Sequence, residues 1–369
     1  MQNITKEAYN EAIKVLEKCL TPSGFRAAYP GYNGIWARDS VISSLGASLL
    51  ENKFKETFKQ SLITLAKNQS EKGQIPNAIL LDKKQVDYKS IDSTLWFIIG
   101  HYIFRERYKD ASLFKKYKKS IEDAITWLSY QDMGEDSMLE QLPTTDWQDA
   151  YPHRYGHTIN TQALWFYVLN LVRDKKEAVK LKSVCNNNKE DSLWNGRYYY
   201  SYRWKNHNKY KEIGDWFDSL GNLLAIIFEL ADKDKAEKIL DYIKNEKIDE
   251  PYPIKAIYPA IERADKYWHD YFADAESKPL CYLNGGIWTY IGGFYILALL
   301  RVGRLKEAEK QLGKLAEANL LNPKFSEWLN GKTGEPGISR DKSKAGNQAW
   351  NAGMYILAYE SLKSKKVLI

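Results

Sequence analysis

Residues 158–172 read TINTQALWFYVLNLV, and from Ile159 to Val172 the stretch is apolar nearly all the way round a helix. At 3.6 residues per turn it leaves no polar stripe for water, so such a helix has to be enclosed by protein on all sides. The next helical stretch, 175–185, is different: its apolar positions keep to one face and its lysines and glutamate lie off it. One buried helix is thus followed by one amphipathic helix.

The same pairing holds along the whole chain. Amphipathic patterns occupy 5–20, 54–69, 112–130, 175–185, 233–245 and 304–318. Patterns apolar on every side occupy 39–50, 93–105, 159–172, 217–231, 287–301 and 346–359. The two kinds alternate strictly, six times over. Two-layer packing accounts for that order, with an inner ring of buried helices wrapped by an outer ring of amphipathic ones. The expected fold is therefore all-α, an (α/α)6 barrel, spanning 1–369 as a single catalytic domain.

Connections from a buried helix to the next amphipathic one are short, as at Glu51-Asn52 or Asp174, whereas those in the other direction are long. In an alternating barrel the long loops all emerge at the end where the inner helices begin. Helix N-termini present free N–H groups and partial positive charge there, and long loops in a compact domain usually carry function. A helical-repeat scaffold is the plain alternative, but repeats recur in length and sequence and these units do not.

Composition narrows the class. Of 369 residues, 44% are hydrophobic and 27% charged, as in an ordinary globular protein. The net charge of +7 is spread over helical faces that also carry Glu and Asp, and no nucleic-acid motif accompanies it, so no nucleic-acid partner is expected. No apolar run is long enough for a membrane, and the first twenty residues read as an amphipathic helix rather than a leader, so a cytoplasmic protein is expected. Cys19, Cys185 and Cys281 suggest no disulfide framework. Twelve Trp and 26 Tyr point modestly to a small carbohydrate substrate, because their flat faces and polar edges suit sugar rings, although a large core also uses Trp. Oligomeric state is left open, a homo-oligomer included.

The chemistry-bearing residues lie in the long loops. Trp36-Ala37-Arg38-Asp39-Ser40 offers a stacking face, a fork of donors and a charged acceptor, although Asp39 and Ser40 would also serve to cap a helix. Thr145-Asp146-Trp147-Gln148-Asp149-Ala150 and Phe325-Ser326-Glu327-Trp328 each place an acid near a tryptophan. Glycosidic cleavage needs one carboxylic acid to protonate the leaving oxygen and a second carboxylate on the other side of the sugar. Asn284-Gly285-Gly286-Ile287-Trp288 opens a buried helix with two glycines, for a ligand or for tight packing. The leaving-group side falls to loops such as 187–213 and 247–285. His153 and His157 are four apart, but Pro152 and Gly156 argue against a helix holding both for a metal, and no phosphate-binding or dinucleotide fingerprint is present. Neither a metal nor a cofactor is expected.

Taken in order, these blocks become specific. WARDS (36–40), SIDSTLWF (90–97) and DWQDA (146–150) followed by TINTQALWFYVL resemble the catalytic domains of the amylo-α-1,6-glucosidase (glycogen-debranching) type. WFDSLGNLLAI (216–226), IYPAIE (257–262), NGGIW (284–288), SEW (326–328) and NQAWNAG (347–353) resemble the neutral/alkaline invertases. The resemblance implies an (α/α)6 glycoside hydrolase, with Asp149 as general acid and Glu327 as general base. It implies that Trp36, Arg38 and Asp39 hold the first glucosyl unit, and adds Asp92, Trp147, Asn284, Trp288, Gln348 and Trp350 as substrate contacts. The segment Glu327-Trp328-Leu329-Asn330 departs from the tyrosine-rich form usual in the invertases. Two other classes remain open at this point: a sugar 2-epimerase on the same barrel, drawing on His101, His153, His157, His207 or His269, and a carbohydrate-binding protein without catalysis.

Overall fold

Buried helices this apolar are stable only against one another, and they close into a ring. The computed structural model describes residues 2–187, 192–206, 210–269, 278–337 and 346–369. The inner helices are α2 (Ala37–Ala47), α4 (Ile91–Tyr108), α7 (Ile159–Leu171), α9 (Ser219–Ile227), α11 (Thr289–Arg301) and α13 (Ala349–Ser364). Each packs on the next in sequence order, and α13 returns to pack on α2. That last contact is a backbone approach. A side chain on Gly46 would lie 1.8 Å from the carbonyl oxygen of Gly353, and one on Gly353 2.4 Å from that of Ser43. Only hydrogen fits at either position.

The outer helices are α1 (Gln2–Lys18), α3 (Lys55–Lys67), α5 (Ser112–Lys116) continued by α6 (Lys118–Ser129), α8 (Lys175–Asn186), α10 (Lys233–Asn245) and α12 (Leu305–Leu320). They bury one face only, as with Ala236, Ile239, Leu240 and Ile243 of α10. Helix α1 lies against α12 and α13, joining the beginning of the ring to its end. One hydrophobic cluster runs through all the inner helices. Glu51, Lys109, Arg173, Glu229 and Gly303, in the short connections that follow inner helices, have positive φ, the left-handed turn that stops a helix and reverses the chain.

The long loops hold strands that the all-α expectation did not include. β1 (Leu20–Thr21) pairs with β2 (Gly24–Phe25). β3 (Gly34–Trp36), β4 (Ala78–Leu80) and β5 (Gln85–Asp87) form an antiparallel sheet just ahead of α2. β6 (His157–Thr158), β7 (Tyr200–Asn206), β8 (Tyr210–Asp218) and β9 (Ile257–Tyr258) form a larger antiparallel one in that order. The two larger sheets bond neighbouring loops together at the end where the inner helices begin, so the site is framed by backbone hydrogen bonds as well as by helix ends. Among the described residues no helix is long and apolar enough to cross a membrane. The three cysteines are free.

Candidate active site

At that end the loops enclose a small cleft. Trp36, Arg38 and Asp39 reach it from the junction of β3 and α2, Trp147 and Asp149 from the loop before α7, and Trp288 from the end of the loop before α11. Glu327, Gln348 and Trp350 come from the loop before α13 and that helix's first turn. Nine of the residues singled out in the sequence are thus brought to one cavity. Asp149 and Glu327 line the same space.

The loop bearing Asp149 is held from beneath. Asp146 accepts from the backbone N–H of Gln148 at 2.9 Å and from the side-chain amide of Gln141 at 3.0 Å. Gln141 in turn accepts from the hydroxyls of Thr158 and Thr161 at the start of α7. Arg154 lies wholly buried between Asp146, at 2.8 Å, and Asp218, the N-cap of α9. This arginine ties the acid loop to a neighbouring inner helix, and nothing in the sequence marked it out.

Glu327 is fixed differently. The amide of Asn351 in α13 donates to the carbonyl of Ser326 at 2.6 Å, and Leu329 exchanges two backbone hydrogen bonds with Ile287. The hydroxyl of Tyr32, from the loop before β3, donates to Oε1 of Glu327 at 2.9 Å. Tyr32 and Tyr282 line the cleft, and the sequence reading had named neither.

Two expected contacts lie elsewhere. Asp92 is fully buried behind the cleft, where it accepts from Nη1 of Arg38 at 3.2 Å and from Ser90. It aims the guanidinium instead of meeting ligand. Asn284 is also fully buried; it accepts from the N–H of Ile261 at 2.7 Å and donates to the carbonyl of the same residue at 2.9 Å. It staples two parts of the long loop before α11 to each other.

The walls are aromatic. Trp288 meets Trp147 and Trp350 edge to face, at 5.7 and 5.8 Å, and Trp350 stacks on Tyr290 at 4.0 Å. Arg38 lies 5.9 Å over the ring of Trp350. Four buried polar atoms on cleft residues make no protein hydrogen bond: Nε of Arg38 and Oδ2 of Asp39, which face each other as an ion pair at 3.7 Å, and Nε1 of Trp147 and of Trp350. Buried donors and acceptors are costly unless satisfied, and a ligand rich in hydroxyls is the chemistry that satisfies them.

The electrostatics favour protons. Arg38 and Arg154 face five aspartates, Asp39, Asp92, Asp146, Asp149 and Asp218, four of them buried. Burial raises Asp149 above the usual carboxylate range; Arg38 opposes this, and Asp146 and Asp92 add to it. Asp149 is itself an exposed side chain, facing water in the cleft, while protein atoms crowd its other sides closely enough to penalise the charge. A ligand that displaced this water would strengthen the shift. Burial pushes Asp39 up to about 6, again against Arg38.

Among the described residues no histidine lines the cleft. His101 is buried beside Phe97, and burial lowers its pKa to about 3. His157 is in β6, 3.7 Å from Glu140, whereas His153 faces His269 in another cavity. His207 lies outside the described residues.

A family model for amylo-alpha-1,6-glucosidase matches residues 12–356. The chain belongs to the amylo-alpha-1,6-glucosidase family. The expectation of a glycoside hydrolase family, drawn from the loop motifs, is met. Within this relationship, the mitochondrial neutral/alkaline invertase 1 of Oryza sativa subsp. japonica is 37% identical over 121 residues, 32% of this chain. Those residues make up 19% of the invertase, so the chain spans about a fifth of that relative's length. The mannosylglycerate hydrolase of Thermus thermophilus, solved with glucose, superposes with a TM-score of 0.70 at 12% identity over 95% of this chain and 99% of that one. A bacterial glucoamylase complexed with acarbose superposes at 0.64 with 16% identity, over 98% and 56%. These amylo-alpha-1,6-glucosidase-family helices thus follow the (α/α)6 plan of the solved proteins.

Proposed function

We propose that the chain is an inverting glycoside hydrolase that releases a terminal glucosyl unit from an α-glucoside, sucrose or a short α-glucan, in a cytoplasmic setting and without metal or cofactor. The observation that carries this reading is the meeting of Asp149 and Glu327 in one tryptophan-walled cleft. Membership of the family supports it, and so does a cleft lined by carboxylates and no described histidine, which disfavours an epimerase.

Asp149, in its protonated form, donates its proton to the glycosidic oxygen as the bond from that oxygen to the anomeric carbon breaks. A water attacks the carbon from the opposite face, and Glu327 takes the proton the water loses. An α-glucoside yields β-glucose, and the two carboxyl groups exchange protons with solvent before the next cycle. Arg38 and Asp39 bind hydroxyls of the glucosyl ring, and Trp36, Trp147, Trp288 and Trp350 exclude water around it. Inverting enzymes separate their carboxyl groups by roughly 6.5–9.5 Å to admit the water.

The test is to incubate the protein with sucrose, maltose and isomaltose and follow the anomers of the glucose released by NMR. β-Glucose appearing first supports the scheme, and α-glucose first rules out inversion. If no glucose comes from any of them, the hydrolase reading fails. Asp149→Asn should lower turnover by about 10²–10⁴-fold.

A further inference from the structure

The outer helices turn their apolar residues inward, so large apolar side chains gathered in water outside the ring call for a reason. Among the described residues six are exposed: Leu20, Tyr29, Tyr130, Met133, Leu142 and Val179. The last four are the barest, at 70–79% exposure, and they belong to one region. Residues 130–142, the strip between α6 and the loop of Asp149, carry Tyr130, Met133 and Leu142, and the neighbouring α8 carries Val179. Three hydrogen bonds fold this region together. The backbone N–H of Glu140 donates to the carbonyl of Gln131 at 2.8 Å, Nζ of Lys180 to the carbonyl of Glu135 at 3.0 Å, and the hydroxyl of Ser137 to Glu177 at 2.6 Å. Each of the four apolar side chains stands within two residues of one of these ties.

Charge divides the same region in two. The strip holds Asp132, Glu135, Asp136 and Glu140, and neither lysine nor arginine. Helix α8 holds Lys175, Lys176, Lys180 and Lys182 against a single acid, Glu177. An acidic band thus runs beside a basic one, and both carry bare apolar side chains. On α8, Lys176 and Lys180 flank Val179 at helical spacing, away from Ala178, Leu181 and Cys185, which are buried.

That pattern is complementary to itself. In a two-fold dimer both partners offer the same surface. With the axis lying in the interface along the boundary between strip and helix, the rotation sets each strip against the α8 of the other copy. Opposite charges then meet, and the apolar side chains cover one another. An axis across that boundary would set acid on acid, so the charges select one arrangement. Strip and helix together have about the size of one side of a standard interface, roughly 20–30 residues. We propose that the chain forms a two-fold dimer through residues 130–142 and α8, with the acidic strip of each copy on the basic helix of the other. None of these residues lines the cleft, so the proposal stands apart from the glycosidase reading.

Sedimentation velocity on the full chain reads this directly. The protein should sediment as two copies at micromolar concentration and part into single chains as salt is raised, because salt screens the facing charges. Met133→Asp puts a charge among the covered apolar side chains and should weaken association about tenfold or more, with the melting temperature unchanged. Glu135→Lys and Lys176→Glu each set like charges against each other twice per dimer, so each variant alone should associate about tenfold more weakly or worse. Mixed together, the two variants should pair. The reversed strip of one then faces the reversed helix of the other, and the unaltered helix faces the unaltered strip. A parent protein that stays a single chain at every concentration overturns the proposal. So does a dimer that Met133→Asp leaves intact, or charge variants that associate no better mixed than apart.

Discussion

Tyr32 and Glu327 are 295 positions apart, and the hydroxyl of the one donates to Oε1 of the other at 2.9 Å. Tyr32 is pinned edge-on to Trp36, with ring centroids 5.5 Å apart. Burial and then the charge of Glu327 raise its phenol far above the ordinary range, so the proton stays and the hydroxyl always donates. In the proposed mechanism this bond holds the Glu327 carboxylate in the orientation from which it takes the water's proton. Hydrogen bonds to charged groups contribute about 1.5–3 kcal/mol. Tyr32→Phe is therefore expected to lower kcat by about ten- to a hundredfold, with a smaller change in KM, read from steady-state kinetics on the best glucoside. An unchanged kcat would remove Tyr32 from the mechanism.

The aspartate excess sets a pH limit. If protonated Asp149 is the acid, activity is present below its raised pKa and is lost as pH rises through it. Asp92 contributes to that elevation from behind the cleft. In Asp92→Asn a buried negative charge is gone and Arg38 is left freer to stabilise ionised Asp149. Both changes lower the pKa of Asp149, so the alkaline limb of kcat/KM should move to lower pH. A limb that stays in place would mean another group titrates there.

How far these relationships were legible depends on what kind of signal carried them. The ring was readable because burial on every side is written in consecutive residues, as in TINTQALWFYVLNLV. The β7 hairpin was readable in principle: Tyr200, Tyr202 and Trp204 alternate with Ser201 and Arg203, a period of two. Tyr32 lies four residues before Trp36 in an extended segment, a spacing that puts both on one face. Arg154 carried no such mark, since a buried arginine is defined by partners that only the closed ring supplies. Asp92 and Asn284 were assigned to ligand for the converse reason: sequence shows that a polar residue belongs to the site and does not show whether it faces the cleft or braces it.

Asp39 links binding to stability. Its pKa is near 3.8 when exposed and about 6 in the folded chain, so the folded state holds a proton more tightly than the unfolded one. The contribution of Asp39 to stability is therefore full below about pH 4 and is lost as pH rises toward 6, by at most about 3 kcal/mol. Asp39→Asn removes this loss. The variant should melt a few degrees higher than the parent at pH 7.5, and the difference should vanish near pH 4, while its affinity for glucose falls. A gain independent of pH would show that Asp39 is not protonated on folding.

Arg154 gives the most demanding test of how the acid is placed. It is fully buried, with Asp146 at 2.8 Å on one side and Asp218 on the other. Taking one member from a buried ionic cluster leaves the others charged without compensation, which costs about 3–5 kcal/mol. With an unfolding entropy of about 2.1 cal/mol/K per residue, Arg154→Met should lower Tm by about 4–6 °C. Activity should fall further than stability alone explains. Asp146 would lose the cation that holds it against the N–H of Gln148, and Asp149 hangs on the same turn. The expected result, read well below the melting transition, is a drop in kcat with the fold intact by circular dichroism. Arg154→Lys keeps the charge but loses the planar fork that reaches both aspartates, so it should recover most of the Tm and only part of the kcat. Full activity in a folded Arg154→Met protein would mean that the Asp149 loop is held by its backbone alone.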